Sequence, residues 1–514
     1  MTAGILNFIL WFPIVMAVVT YLVGKMVNEG WSKWFAVGTV SITTILTFFL
    51  WIQDFMGESL SYASGFLYET RFDWFKSGAV TITYHIGVDG LSMPLLLLTQ
   101  VVFLVSAISS FYIHEREALY YGLYLFLLTG LEGTFVALDL FLFYIFWEIV
   151  LVPMFFIIAI WGGVNKYYAS MKFFIYTHLA SLIMLIGLIL MFQNGNRTFN
   201  MVDLRANLAT NVTNGSVSMQ TINLIFWLVF IGFIVKFPQV PFHTWLPDAH
   251  VQAPSPGSSI LAGLLLKMGG YGLIRVGFWL ISDTGYFTND FGKSARVFMG
   301  AMAAISMIYP AFIALRQIDL KKMIAYSSIS HMGIVLLGLA AFNTEGLNAA
   351  MFMMVAHGII SPGLFLLAGI IEHNTKSHTR DMDKVSGLTF KMPYAAALFV
   401  FLGFGSAGLP GLAGFVAEFL GFTSAFNSDV FTGTNIWIPV VAVMSVIVTA
   451  GYYLWAMRRV LFNTPSPEIE NATFAKWWET GPVFILAIVT LLLGVVPAII
   501  QKVMDEWAKS AFFP

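Results

Sequence analysis

Long apolar runs separated by short polar segments recur from one end of the chain to the other. About twenty helical residues cross the hydrocarbon of a bilayer, and about fourteen runs are that long. The runs lack the two-residue alternation of a membrane barrel, and an open sheet cannot satisfy its backbone in lipid, so they predict α-helices. The predicted spans are 4–24, 34–53, 88–112, 118–138, 140–161, 168–192, 219–250, 255–280, 297–315, 321–342, 347–371, 393–427, 435–457 and 478–500.

The seventh and twelfth runs are too long for one straight crossing. The seventh contains Pro238 and Pro241, and the twelfth contains Pro410 between Gly408 and Gly411. Proline removes a backbone donor and clashes with the preceding turn, so both helices should break in mid-membrane. Broken backbone at that depth faces protein or a wet cavity, and two interrupted helices are typical of transporters built from inverted repeats.

Composition agrees with a protein that has lipid as its main solvent. The chain is 58% hydrophobic and 10% charged, whereas a soluble domain carries about 25% charged residues. Its net charge of −1 gives no reason to expect nucleic acid as a partner. The chain has no cysteine, which excludes thiolate metal sites and iron–sulfur ligation by this polypeptide. The first apolar run is long enough to span and predicts a membrane helix, not a removed signal.

Basic residues divide unequally between the predicted loops. If each broken helix crosses once and the N-terminus lies outside, the odd-numbered loops are cytoplasmic. These loops hold fifteen Lys and Arg, and the loops on the outer side hold eight. This bias fits the positive-inside rule. We therefore expect a multi-pass protein of the cell's inner (plasma) membrane with its N-terminus on the outer side, and long outer loops at 54–87 and 193–218.

Four ionisable side chains lie near the middle of predicted helices: Glu148 in the fifth, Lys236 in the seventh, Lys267 in the eighth and Glu418 in the twelfth. A lone charge there costs at least about 2.5–3.5 kcal/mol on insertion scales, so these groups should pair or function. Burial disfavours the charged form of either type, and a nearby opposite charge restores it. A Glu148–Lys236 pair would be a two-state device whose separation makes the lysine a better proton donor. The alternative is a structural ion pair that locks the bundle.

Three histidines accompany these charges: His243 at the break of the seventh helix, His331 in the tenth and His357 in the eleventh. A histidine in a core is often a hydrogen-bonded structural group, but histidine also titrates near neutral pH. Proton relay and structural roles both stay open. Neither His331 nor His357 has a ligand-type residue at i+3 or i+4, so we expect no metal site.

One spacing indicates an internal duplication. Glu148 precedes Lys236 by 88 residues, and His331 precedes Glu418 by 87. An odd number of helices per copy would invert the second copy in the membrane. The predicted organisation is helices 1–3 with an outer loop in 1–117, a first five-helix repeat (helices 4–8) in 118–280, a second inverted repeat (helices 9–13) in 281–460, and a C-terminal helix in 461–514.

Five motifs carry a resemblance to a known family: Gly87–Met93, Phe146–Met154, Lys236–His250, Leu261–Gly272 and Leu320–Gly333. They resemble the proton-translocating, antiporter-like subunits of respiratory complex I, which are also similar to subunits of multisubunit Na⁺/H⁺ antiporters. The resemblance covers about residues 80–460.

The resemblance implies that Glu148 and Lys236 form the paired site, that Lys267 is the central connecting lysine and that Glu418 is the terminal proton-transfer residue. It implies a subunit that couples NADH:quinone electron transfer to proton pumping. This chain would hold no cofactor, and flavin, iron–sulfur clusters and quinone would lie on other subunits. Its implied partners are other membrane subunits of complex I, especially the antiporter-like siblings. The alternatives are an Na⁺/H⁺ antiporter subunit, the equivalent subunit of a ferredoxin- or F(420)-linked dehydrogenase or membrane hydrogenase, and a membrane scaffold.

Overall fold

The fold is a bundle of membrane-spanning helices, seen in a computed structural model that describes residues 2–55, 65–78, 80–462 and 464–513. Within these residues, thirteen helices are long and apolar enough to cross a membrane, and two shorter apolar helices make one more crossing. The chain is a membrane-embedded, multi-pass protein, as predicted. In order, the spans are Thr2–Met26, Ser32–Asp54, Ser92–Ser109, Glu117–Val136, Leu140–Ile149 with Leu151–Trp161, Lys166–Asn194, Met219–Lys236 with Trp245–Gln252, Ser255–Ser282, Asp290–Leu315, Leu320–Ala341, Thr344–Asn374, Pro393–Ser406 with Ala413–Phe426, Trp437–Leu461 and Trp477–Val495.

Both predicted breaks are confirmed. The seventh span is interrupted after Lys236 and resumes at Trp245, and the twelfth is interrupted between Ser406 and Ala413. At the first break, the indole of Trp245 donates to the carbonyl oxygen of Val235 (2.9 Å), and the Ser306 hydroxyl accepts from the backbone N–H of Val240 (2.9 Å). Side chains therefore satisfy backbone groups that the prolines leave without helical partners.

One face of the bundle, called here the hairpin face, carries structure that an all-α prediction did not include. Strands β1 (Leu67–Ser77) and β2 (Val80–Val88) form an antiparallel hairpin there, since backbone groups outside the hydrocarbon can pair between strands. Two helices outside the spans, Met201–Thr213 and Ala498–Phe512, lie on the same face. Residues 56–64 and 79 of the predicted loop 54–87 lie outside the described residues.

The opposite face carries the short loops around Lys166, Lys321 and Arg380, where the short helix Pro467–Glu470 and the 3₁₀ turn Leu388–Phe390 also lie. Further 3₁₀ turns are Glu29–Trp31, Tyr286–Thr288 and Gly433–Asn435.

The eighth and eleventh spans form the centre of the bundle, and their apolar windows are wholly buried. Close packing there depends on glycine: a Cβ on Gly269 would lie 2.6 Å from the Cβ of Phe237 and 2.7 Å from its backbone nitrogen. The eighth span also contains two π-helical segments, Leu261–Leu265 and Leu273–Trp279, on either side of Lys267. Such segments often occur at functional sites because they turn side chains away from their regular helical direction.

Candidate functional site

Lys236 is the last residue of the first half of the seventh span, directly before the break. It is 2% exposed. Its amine donates to the carbonyl oxygen of Trp147 (3.2 Å) and lies 3.9 Å from the centre of that indole ring. The Lys236 amine thus binds the fifth span through the carbonyl oxygen of Trp147 and the face of its indole ring.

Glu148, the next residue after Trp147, has a partner that the sequence analysis missed. Its Oε2 accepts from Nδ1 of His178 in the sixth span at 2.9 Å. Among the described residues, no oxygen of Glu148 lies within 4.0 Å of the Lys236 amine. The expected direct Glu148–Lys236 pair is therefore not formed in this state of the protein, although the two residues flank the same turn of the fifth span.

Lys267, at the centre of the bundle, contacts the eleventh span directly. Its amine lies 2.7 Å from Nδ1 of His357 and donates to the carbonyl oxygen of Ala262 at 2.6 Å. Both side chains are deeply buried, at 0% and 4% exposure. An ammonium–imidazole contact of this length is a geometry in which a proton can move between two nitrogens.

His331 continues this line toward the twelfth span. Its ring centre lies 5.4 Å from that of His357, and its Nε2 lies 3.9 Å from Oε1 of Glu418. Its two nitrogens also lie 2.8 Å from the carbonyl oxygens of Ser327 and Ser406. Carbonyl oxygens only accept, so both contacts are hydrogen bonds only when the ring carries two protons.

Glu418 lies in the second half of the twelfth span, and its carboxylate lies against Gly408 of the break. Gly408 has φ +75°, and a Cβ at that position would lie 2.1 Å from Oε2 of Glu418. Glycine is therefore needed for two reasons, its left-handed backbone and the space that the carboxylate occupies.

His243 lies apart from the Lys267–Glu418 line, within the break of the seventh span. Its ring packs edge-on against Tyr309, with 5.9 Å between ring centres, and its Nδ1 is buried without a partner among the described residues. Nearby, the amine of Lys172 donates to Asp248 at 2.7 Å. The structure thus places His243 beside Tyr309, within the break, and shows no contact of its ring with His331 or His357 among the described residues.

Two buried polar groups escaped the sequence analysis. Glu132 is 0% exposed and accepts from the side-chain amide of Gln100 (2.5 Å), whose oxygen in turn accepts from Thr43 (2.8 Å). Arg275 donates to both carboxylate oxygens of Asp89 at 2.6 Å, near the hairpin face. The Gly-Val-Asp-Gly motif was visible in the sequence, but its arginine partner is 186 residues away.

A polar cavity of about 530 Å³ opens on the opposite face, between the loops. It is lined by a buried ion-pair cluster in which Glu372 contacts Lys321 (3.1 Å) and Arg380 (3.2 Å). His250, buried close by, stacks on Phe365, and neither of its ring nitrogens has a partner within the described part of the chain. Charged and polar side chains therefore line a route by which water can approach the buried spans from this face.

Comparison with known proteins matches residues 137–438 to the family described as NADH:quinone oxidoreductase/Mrp antiporter, transmembrane region. The chain belongs to this family. The matched region contains every site residue named above except those of the hairpin face and the second, third and fourth spans. Among the described residues, no group of three or more His, Asp or Glu side chains could hold a metal ion.

Individual family members are similar over nearly their whole length. F(420)H(2) dehydrogenase subunit M of Methanosarcina mazei is 37% identical over 96% of this chain and 94% of the relative. NADH-quinone oxidoreductase subunit M of Rhodobacter capsulatus is 36% identical over 98% and 95%. A solved chain of respiratory complex I from Thermus thermophilus superposes with a TM-score of 0.82 at 25% identity, covering 99% of this chain and 100% of that one.

Proposed function

We propose that this chain is subunit M, the antiporter-like proton-translocating subunit in the membrane arm of a complex I-type enzyme. The observation that carries the proposal is the row of buried ionisable side chains Lys267, His357, His331 and Glu418, with successive groups in hydrogen-bonding or near contact. Such a row is costly inside a membrane and is typical of proton relays.

In this mechanism Lys236 passes a proton to Lys267 when Glu148 is held away from it. Lys267 shares that proton with His357, and His331 brings it to Glu418, which releases it on the far side. Lysine suits the two interior positions because its amine can lose a proton when buried, which a guanidinium does not.

The remaining assignments belong to the same proposal. The protein lies in the inner (plasma) membrane with its N-terminus outside, and it contacts antiporter-like siblings. Flavin, iron–sulfur clusters and quinone belong to other subunits, and the five-helix repeats are 118–280 and 281–460. The break of each repeat falls in its fourth helix, the seventh and twelfth spans, which supports this division.

The second candidate is the same role in an enzyme with another electron donor. It is favoured by the similarity to the M. mazei F(420)H(2) dehydrogenase subunit, which is as high as that to the NADH-linked relative. A Na⁺/H⁺ antiporter subunit is the further alternative, since the family includes antiporters.

The deciding experiment is purification of the intact complex, identification of its subunits and electron donor, and measurement of redox-driven proton uptake in proteoliposomes. Glu148→Gln should nearly abolish uptake, because the charge is lost while the shape is kept. Glu132→Gln is the matched control, since it neutralises a carboxyl of the fourth span that belongs neither to the row nor to the Glu148–Lys236 step. Normal uptake in fully assembled Glu148→Gln would refute the proposal.

A further inference from the structure

The contact between Glu148 and His178 lies at mid-membrane depth. Glu148 stands 13 residues before the end of the fifth span, and His178 stands 12 residues after the start of the sixth. These antiparallel helices therefore bring the two side chains to one level, and Nδ1 and Oε2 meet at 2.9 Å. The other carboxylate oxygen, Oε1, is buried without a partner among the described residues.

Lys236 reaches the same turn from the seventh span and makes no carboxylate contact within 4.0 Å among the described residues. Its amine is bonded to the carbonyl of Trp147, the residue directly before Glu148. The turn that carries Glu148 is thus contacted by two nitrogen bases, an imidazole on the sixth span and an amine on the seventh, and the carboxylate is bound to the imidazole.

The backbone hydrogen bonding of the fifth span is interrupted close to Glu148. Its helix is interrupted at Val150, and Pro153 cannot donate a backbone hydrogen bond to the carbonyl of Ile149. A Cβ on Gly130 of the fourth span would lie 2.8 Å from Cγ2 of Val150, so the neighbouring helix packs closely against the interruption. The turn that carries Glu148 therefore has fewer backbone hydrogen bonds than a regular helical turn, so it can move more easily when the Glu148 side chain changes partner.

We propose that His178 competes with Lys236 for the Glu148 carboxylate and thereby sets when Lys236 can release its proton. This inference rests on the proposed function. The contact strengthens when His178 takes up a proton, because the carboxylate then faces an imidazolium, and it weakens when that proton leaves through Nε2. The proton on His178 does not enter the relay: Lys236 supplies the relayed proton to Lys267. His178 is thus a positioning residue.

The ring lies on the outer surface of the bundle, where at this depth it faces lipid or an adjoining subunit, so Nε2 would exchange its proton with a group at that subunit interface. The His178 side chain is 39% exposed and that of Glu148 22%. Phe174 stacks on the ring with 5.4 Å between ring centres. The titratable groups on the spans packed against it include Glu148, Tyr144 one turn before it, Lys236, and Asp248, which is bonded to Lys172 of the sixth span.

The test uses the intact complex with His178→Gln and His178→Arg, and measures proton uptake and electron transfer for each assembled variant. Glutamine removes the charge, so Glu148 stays with Lys236. Arginine is always charged and holds Glu148 permanently. Both should reduce uptake about tenfold, the equilibrium effect of one charged hydrogen bond. His85→Gln is the control, since it alters another His–Glu contact (2.8 Å, to Glu69) in the hairpin.

A merely structural role predicts a different pattern. Arginine would then pair with Glu148 as well as histidine does, and uptake would stay at the wild-type rate. Wild-type uptake in either variant overturns the inference. If Glu148→Gln abolishes uptake while both His178 variants pump normally, only this inference fails. If Glu148→Gln itself pumps normally, the proposed function fails.

Discussion

Gly408→Ala tests whether the break of the twelfth span positions Glu418. Two effects of the added methyl group can be worked out separately. An alanine at φ +75° costs about 1–2 kcal/mol, because the left-handed region brings Cβ close to the following carbonyl oxygen. In addition, Cβ would lie 2.1 Å from Oε2 of Glu418, where real contacts are essentially never below 3.0 Å. The carboxylate must therefore move by about 1 Å.

That movement should impair proton transfer more than stability. The carboxylate is 3.9 Å from Nε2 of His331 in the native arrangement, and a misplacement of about 1 Å can cost about a hundredfold in rate. We expect Gly408→Ala to assemble and to lower redox-driven proton uptake by about 10- to 100-fold per complex. Uptake is measured in proteoliposomes, and assembly by native electrophoresis of the membrane fraction.

Gly411→Ala separates the two effects. Gly411 has φ +93°, so alanine meets a comparable backbone penalty, but no described atom outside its immediate neighbours lies within 4 Å of a Cβ there. This variant should lose similar stability and keep its uptake. Equal uptake in the two alanine variants would refute the idea that Gly408 positions the carboxylate.

Substitutions at three further positions have expected outcomes. Lys236→Arg should pump much less than its retained charge suggests, because guanidinium does not release a proton at accessible pH; wild-type uptake would make Lys236 a fixed charge. Glu418→Lys should keep part of the activity and Glu418→Ala much less, as measured by uptake per assembled complex; equal losses would show that carboxylate geometry matters more than titratability. Asp89→Asn leaves the Arg275 cation without its counter-ion and should destabilise the protein by about 3–5 kcal/mol, seen as a lower thermal transition in detergent; an unchanged transition would contradict a stabilising role for the pair.

The spans and their breaks could be predicted from sequence because both depend on local chemistry. A run of apolar residues is sufficient to indicate a crossing, and the excess length of the seventh and twelfth runs, together with Pro238 and Pro410, indicates their breaks. Proline alone would not be enough, since Pro310 and Pro362 lie inside continuous helices. The hairpin was not predicted because its strands are too polar to span and lie between two spans, where a loop is expected. The β-branched alternation in Val80–Val88 was the available signal.

The site was predictable only in part. Lys236, Lys267 and Glu418 stood out because a charge in mid-membrane is costly, but their contacts depend on how the helices pack. The partner of Glu148 is 30 residues away, in the next helix. Counting residues outward from the turn between the fifth and sixth spans would have placed His178 at the level of Glu148. No such count relates Arg275 to Asp89, since their meeting requires the tertiary fold.

The helix Ala498–Phe512 connects regions that are far apart in the chain. Trp507 packs on Gly90, where an added Cβ would lie 2.6 Å from it, and Asp505 accepts from Asn348 of the eleventh span at 2.7 Å. The carbonyl oxygen of Ala511 accepts from Arg205 at 2.7 Å. The helix therefore cross-links three separate parts of the chain on the hairpin face. We expect any separation of the spans during turnover to be small on that face and larger on the face with the polar cavity. Backbone amide exchange should then be slowest in the residues that contact Ala498–Phe512 and fastest in those that line the cavity.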